Sequence, residues 1–225
     1  MSPHGGAWAI QQVTAAPITQ VQKKAATLNQ STNSESCTFD ASPTQGNLLI
    51  STIAGGGAAN MTVTPPTGWT TAMIIDSNGA TVPNFSGRWA AIGYKIAGAG
   101  ETSAVTWTLG ATVSCDLVAF EYSGMAAASP VDASSTPQSS SSTVTSLGLG
   151  TTGTTALAKE LAVAFCCTAN RSGEAVDNSF TLENAQTSRV IVGTKILSAT
   201  GTVTCTASWT TANTAAGGIV TFKGS

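Results

Sequence analysis

Short runs rich in β-branched and aromatic residues recur along the chain, each bounded by Gly, Pro, Asn or Ser. The clearest are GNLLISTIAG, GRWAAIGYKIAG, TSAVTWTL, CDLVAFEYSG, ELAVAFCCTA, SRVIVGTKIL, TVTCTASWTT and GGIVTFKG. In the last run, Val220 and Phe222 fall on one face of a strand, and Thr221 and Lys223 on the other. Such alternation is typical of an antiparallel sheet with one buried face. The pattern therefore predicts an all-β protein built as an antiparallel β-sandwich.

The strand pattern repeats along the chain. Gly-x-Lys-Ile at 93–96 recurs at 193–196, and Gly124 corresponds to Gly224, both at an offset of 100. Upstream, GNLLIS resembles KELAVA in pattern at an offset of 113. Because strand order and strand-terminal glycines both recur, the sequence predicts an internal duplication. The expected units are a first repeat over 30–124, and a Ser-rich linker with a second repeat over 125–225. The alternative is one joint domain over 30–225.

The first 29 residues carry scattered apolar side chains, too few to fold alone and too many for a solubilising tail. We expect residues 1–29 to form an extended N-terminal arm that adds to an exposed sheet edge of a neighbouring subunit. Trp8, Ile10 and Val13 are the candidate assembly anchors, because a buried Trp often dominates an interface. The alternative is that the arm packs back on its own sandwich and covers an edge strand.

Composition narrows the range of partners. Only 9% of residues are charged and the net charge is −2, against roughly 25% charged residues in an ordinary soluble domain. With so few cations, nucleic acid is not an expected ligand. No run approaches the roughly 20 apolar residues of a membrane span, so no membrane partner is expected. The start MSPHGGAWAIQQVTAAP lacks the basic and apolar regions of a secretory signal, and export by the usual route is not expected.

The residue types that carry catalysis are sparse. His4 is the single histidine, and it lies in the predicted arm. No Gly-x-Ser-x-Gly elbow or phosphate-binding loop occurs. Glu174 and Asp177 could ligate Ca²⁺ from a loop, but two acids in a polar turn are more often solvated. We therefore expect no enzyme activity, no cofactor and no metal.

Five cysteines occur without any Cys-x-x-Cys spacing. Cys166 and Cys167 are neighbours on a predicted strand, so one should point into the core and the other away from it. An outward thiol could form a cross-link in an oxidising medium. The competing interpretation is that the cysteines are small buried hydrophobes.

The tryptophans suggest a second binding chemistry. Trp107 and Trp209 lie in corresponding predicted strands and are interpreted as core residues. Trp69, in the segment PPTGWTT, is the best candidate for an exposed aromatic face that could stack on a sugar ring. A glycan contact at Trp69 is therefore a hypothesis.

A family resemblance covers about residues 36–225. The segments that carry it are GNLLISTIAGG, PPTGWT, YKIAGAGETSAVTWT, LVAFEYSGM, ELAVAFCC and SWTTANTAAGGIVTFKG. Together they resemble a class of β-sandwich domains found in bacteriophage structural proteins and in bacterial surface proteins. The resemblance implies a jelly-roll-like sandwich whose role is packing and adhesion, and exported bacterial members would carry a signal peptide.

The expected function is therefore that of a structural virion protein, either capsid decoration or tail-associated. Its partners would be other virion proteins and copies of itself, and it would be assembled in the host cytoplasm. The alternative is a carbohydrate-binding adhesin module that recognises a cell-surface glycan.

Overall fold

The chain is all-β in a computed structural model that describes residues 16–26, 30–57, 61–81, 87–169, 172–183 and 189–225. Within these ranges there are fourteen strands and no helix. The strands form two antiparallel sheets of seven strands each. The predicted all-β antiparallel sandwich is confirmed.

The first sheet is drawn entirely from the first half of the chain. Its strands are β1 (Thr19–Ala25), β2 (Gln30–Thr38), β3 (Leu48–Gly56), β4 (Val63–Thr64), β5 (Thr70–Asp76), β6 (Arg88–Ile96) and β7 (Ala104–Ser123). The strand order is β1-β7-β3-β6-β5, and β2 and β4 also pair with the long strand β7.

The second sheet is drawn from the second half. Its strands are β8 (Val131–Ser134), β9 (Gln138–Thr151), β10 (Glu160–Cys167), β11 (Ala175–Val176), β12 (Thr181–Leu182), β13 (Val190–Ile196) and β14 (Thr204–Lys223). The long strand β14 pairs with β8, β9, β10 and β11, β10 also pairs with β13, and β13 with β12. The chain crosses from one sheet to the other at 124–130.

The two sheets have the same connectivity, and their central strands have the same register. Leu48 of β3 pairs with Ile96 and with Tyr122, whereas Leu161 of β10 pairs with Ile196 and with Phe222. These partners differ by the offsets 113 and 100 that the sequence repeat predicts. The duplication and the jelly-roll description nevertheless stay predictions, since the structure gives the present arrangement and not its descent.

Each long strand bends at the same place. Residues 109–112 of β7 face only residue 33 of β2, and residues 209–212 of β14 face only residue 145 of β9. Extra residues on one strand bend it and increase its twist. Each long strand therefore runs through two layers: its first part pairs with β2 and β4, or with β9 and β11, and its last part pairs with the central strands.

Three buried clusters follow from these bends. One lies inside the first sheet, between its two layers, and includes Leu49 and Trp107. A second lies inside the second sheet and includes Ala162 and Trp209. The third lies between the two sheets and takes residues from both halves, including Phe120 and Phe222 among others. Because the halves share this third cluster, they bury a common set of apolar side chains. The division into two repeats, with one joint domain as the alternative, stays a prediction.

The central strands are buried on both faces, which corrects the prediction of one buried face. In β14, Val220 and Phe222 lie in the cluster between the sheets, and Thr221 on the opposite face is also fully buried. The second layer formed by each bent long strand covers that opposite face.

Glycine in the repeated Gly-x-Lys-Ile motif has a packing role. A Cβ atom on Gly93 would lie 2.9 Å from the ring of Trp107. Only glycine leaves room for that ring against β6. On Gly193 the nearest atoms would be 3.2 Å away, on Val176.

Two segments outside the predicted repeats belong to the sheets. Residues 19–25, assigned to the arm, form β1 and pair with 118–123 of β7. For this part of the arm, the alternative in which it packs on its own sandwich is the observed one. The Ser-rich segment 133–144, predicted as a linker, forms the second half of β8 and the first half of β9, which pair with β14. Backbone hydrogen bonds to the long strands hold both segments, although few of their side chains are apolar.

Candidate functional site

The predicted assembly anchors Trp8, Ile10 and Val13 lie outside the described residues, so their role stays a prediction. The described chain begins at Ala16. Ile18 is 6% exposed and packs in the cluster between the sheets. Lys159 donates a hydrogen bond to the carbonyl of Ala16. The region just before β1 is therefore attached to its own domain.

Trp69 is only partly exposed. Its ring packs against the cluster inside the first sheet, and its backbone N–H closes a turn on the carbonyl of Pro66 at 3.0 Å. One face of the indole is thus used in packing. Trp107 and Trp209 are buried, as predicted.

All five cysteines are buried and unpaired with one another. Cys166 lies in the cluster inside the second sheet and Cys167 in the cluster between the sheets. The expectation that one of this pair points outward is wrong, because β10 has a buried cluster on each face. Burial raises the pKa of both thiols, so they stay protonated and unreactive. A cross-link at either position would require β10 to leave the sheet.

One buried polar pair stands out in the first sheet. Cys115 donates its thiol proton to the carboxyl group of Glu35, with Sγ 3.6 Å from Oε2. Burial raises the pKa of Glu35 to about 7, the Cys115 hydrogen bond opposes that shift, and the nearby Asp116 carboxylate adds to it. Sequence reasoning missed this pair, although a Glu alternating with exposed Ser and Thr in SESCT is the signal of an inward-facing acid.

A second buried carboxyl group, Glu121, is held by a dense set of donors. It accepts hydrogen bonds from the amides of Gln22 and Asn47, both at 2.5 Å, and from the backbone N–H of Thr44 at 2.8 Å. These contacts fix β1 and the loop before β3 onto β7. Asp116 and Glu121 are five residues apart on β7 and lie on its opposite faces.

The outer strands β2 and β9 are open on one side. Each pairs with its long strand and with no other strand among the described residues. The straight end of β2 is residues 34–38, which follow its one register shift. Here the exposed Ser34, Ser36 and Thr38 alternate with the buried Glu35 and Cys37. No charged side chain faces solvent along this stretch. The unpaired backbone N–H and C=O groups of such an edge can pair with a strand of another chain.

The equivalent edge in the second sheet is irregular. The pairing of β9 with β14 shifts register at three places, whereas the pairing of β2 with β7 shifts once, at the bend. Bulges of this kind hinder edge-to-edge pairing. The straight end of β2 is therefore the better acceptor edge.

A polar groove lies at one end of the second sheet. Its volume is about 460 Å³, and it is lined by Asn178, Ser179 and residues 195–204. Lys195 donates a hydrogen bond to the carbonyl of Asn178 at 2.8 Å, and its ammonium lies 5.8 Å from the ring centroid of Phe180. Sequence reasoning did not identify this groove.

The predicted loop carboxylates give no metal site among the described residues. Asp177 accepts the backbone N–H of Thr206 at 2.6 Å, and Glu174 does not join it in a group of three potential ligands. The described ranges also contain no helix long and apolar enough to cross a membrane.

No protein-family model, curated protein or solved structure matches the chain. The arrangement of its own residues is therefore the basis for a functional proposal.

Proposed function

We propose that this chain is a structural virion protein of a bacteriophage that acts by protein–protein assembly, as capsid decoration or as a tail-associated component. The observation that carries the proposal is the open, straight edge of β2, where Ser34, Ser36 and Thr38 face solvent without a charge. Soluble monomers usually protect such an edge with exposed charges, Pro or bulges. The low charge of the whole chain fits a surface that is covered in an assembly.

The buried polar pair beneath this edge adds to the argument. Glu35 points inward, which holds β2 in register because a shift by one residue would exchange its exposed and buried side chains. The edge is thus presented in one fixed register. A partner strand that pairs with residues 34–38 would meet a row of backbone groups and small hydroxyl side chains.

Two matched double-lysine variants test the proposal. Ser34→Lys with Ser36→Lys places charges on the straight edge, whereas Ser146→Lys with Gly148→Lys places them at the equivalent positions of β9. Each tagged protein is produced in the native host during particle assembly, and the particles are separated on a density gradient. We expect the wild-type chain and the β9 variant to sediment with particles, and the β2 variant to be depleted about tenfold. Absence of the wild-type chain from particles would contradict the proposal, as would equal incorporation of both variants.

A carbohydrate-binding adhesin module is the second candidate function. The observation that favours it is the groove beside Lys195, because hydroxyl and amide groups line it. Trp69 supports it less, since part of its ring packs against the protein.

A further inference from the structure

We propose that the groove beside Lys195 binds an acidic saccharide, with the Lys195 ammonium paired to the sugar carboxylate. This inference rests on the second candidate function and names its ligand class. It does not depend on the assembly role of β2.

The groove offers the groups that a hydroxylated ring requires. Its lining includes the hydroxyl-bearing residues Ser179, Ser198, Thr200 and Thr202. Asn178 and Thr204 also line it, and the Asn178 amide donates hydrogen bonds to the hydroxyl and carbonyl of Thr204 at 3.0 and 3.1 Å. Small polar side chains of this kind can donate and accept hydrogen bonds with sugar hydroxyls. Ile196 also lines the groove and is 53% exposed, so it offers an apolar surface for the C–H face of a ring.

The equivalent lysine in the first half shows what Lys195 lacks. Lys95 forms an ion pair with Glu101, with Nζ 2.8 Å from Oε1, and the second oxygen of Glu101 accepts the N–H of Gly98. At the offset of 100, glycine replaces that acid at position 201. The loop after β6 therefore supplies a carboxylate to Lys95, whereas the equivalent loop after β13 supplies none to Lys195.

Lys195 has no carboxylate partner elsewhere in the described chain. All eleven Asp and Glu residues lie in the described ranges, and none of the ion pairs within 4.0 Å among those residues involves Lys195. Two acids on neighbouring elements, Glu183 and Asp177, have other partners. Glu183 pairs with Lys23 at 2.8 Å, and Asp177 accepts the N–H of Thr206.

The lysine is also held in place before any ligand arrives. Asn178 and Ser179 have φ values of 53° and 63°, a left-handed conformation that is uncommon outside glycine. That turn directs the Asn178 carbonyl at the Lys195 ammonium. Non-glycine residues in this conformation concentrate at ligand-binding sites. A fixed ammonium that lacks a counter-charge, beside hydroxyl groups, matches a ligand with a carboxylate on a sugar ring.

Calorimetric titration of the full chain with galacturonic acid oligomers, and with galactose oligomers of equal length, tests this inference. We expect the acidic oligomers to bind, and Lys195→Gln to weaken that binding about tenfold. Lys95→Gln is the matched control, and it should leave binding unchanged. A single cooperative thermal unfolding transition in both variants, close to that of the wild type, shows that neither result reflects misfolding.

The other outcomes overturn the inference in distinguishable ways. Equal binding of acidic and neutral oligomers would reject carboxylate recognition but leave the carbohydrate role standing. Binding of neither oligomer would reject both. Equally strong binding of a poly-glutamate peptide that Lys195→Gln abolishes would show general anion binding without sugar recognition, and unchanged binding in Lys195→Gln would place the ligand elsewhere.

Discussion

The two halves of the chain have the same strand connectivity and the same register in their central strands, yet they fill their inner clusters differently. In the first half the buried tryptophan on the long strand is Trp107, and a leucine follows at 109. In the second half the equivalent positions are Ala207 and Trp209. Each long strand thus places one tryptophan in the inner cluster of its own half, and the two positions differ by two residues along the same strand face. The facing of the tryptophan is the same in both halves, whereas its position along the strand differs.

Polar groups differ more strongly between the halves. Glu35 and Cys115 form a buried hydrogen-bonded pair in the first half. Their equivalents at the same register are Leu147 and Ala215. A buried carboxyl group is thus not required by the strand framework at this place. The comparison indicates that bends and strand pairing maintain the fold, whereas this buried polar pair is present in only one half.

Removing each tryptophan should give the largest effects and should separate the two halves. Trp107→Ala removes a fully buried ring and leaves Ser51 without the indole N–H that it accepts at 2.8 Å. Trp209 has no side-chain hydrogen-bond partner among the described residues. We expect both variants to lose about 3–5 kcal/mol of unfolding free energy. The loss should be about 1 kcal/mol greater for Trp107→Ala because of the unsatisfied hydroxyl.

Urea denaturation followed by far-UV circular dichroism measures both losses. Two separate transitions in either variant would contradict a shared cluster between the halves. A larger loss in Trp209→Ala would contradict the role assigned to the Ser51 hydrogen bond.

Replacing Glu35 and Cys115 with the apolar residues found at the equivalent positions of the second half should change the pH dependence of stability. The pKa of Glu35 is raised from about 4.5 to about 7 by burial, so the folded protein binds this proton more tightly than the unfolded chain. Its stabilising contribution is present below pH 4.5 and is lost as the pH rises towards 7. Glu35→Leu with Cys115→Ala should therefore be more stable than the wild type at pH 8, by roughly 1–2 kcal/mol.

Unfolding free energies measured between pH 4 and 8 check this prediction. Glu35→Gln is the control, because it removes the charge and nearly keeps the size. Some decrease with pH should persist in every variant, since burial also raises the pKa of Glu160 in the second half. An unaltered pH profile in the double variant would contradict the assignment to Glu35.

The two equivalent lysines should give the smallest effects. Lys95→Gln breaks the ion pair with Glu101, whereas Lys195→Gln breaks a hydrogen bond to one carbonyl. We expect Lys95→Gln to lower the unfolding free energy by about 0.3–1 kcal/mol and Lys195→Gln by less. Thermal unfolding at low and high salt distinguishes them, because only the Lys95→Gln difference should shrink as salt screens the ion pair. A greater loss in Lys195→Gln would show that its lysine is a structural group.

Sequence patterns predicted the strands that are buried, because their apolar residues are numerous. The edge strands β1 and β9 were missed because few of their residues are apolar. In β1 and β9, backbone bonds to the long strands supply the pairing, and nearly all side chains are exposed or only partly buried. A Ser-rich segment therefore looked like a linker, although the duplication itself offered a signal, since the first half has strands at the corresponding places.

The facing of Cys166 and Cys167 was predicted wrongly for a related reason. The run ELAVAFCC is apolar at successive positions, which is typical of a strand covered on both faces. That signal was present in the sequence. The groove beside Lys195 carried no such signal, because it depends on a turn at 178–179 and on a loop after Ile196 that meet only in the folded chain.

Native-state hydrogen exchange in Trp209→Ala tests most directly whether the two halves form one cooperative unit. The substitution lies in the second half, far along the chain from β3, while both β3 and β10 line the cluster between the sheets. If that cluster couples the halves, the slowest amides of β3 and of β10 should lose protection by the same free energy. Loss of protection in β10 alone, with β3 unchanged, would show that the halves unfold independently and would contradict this account.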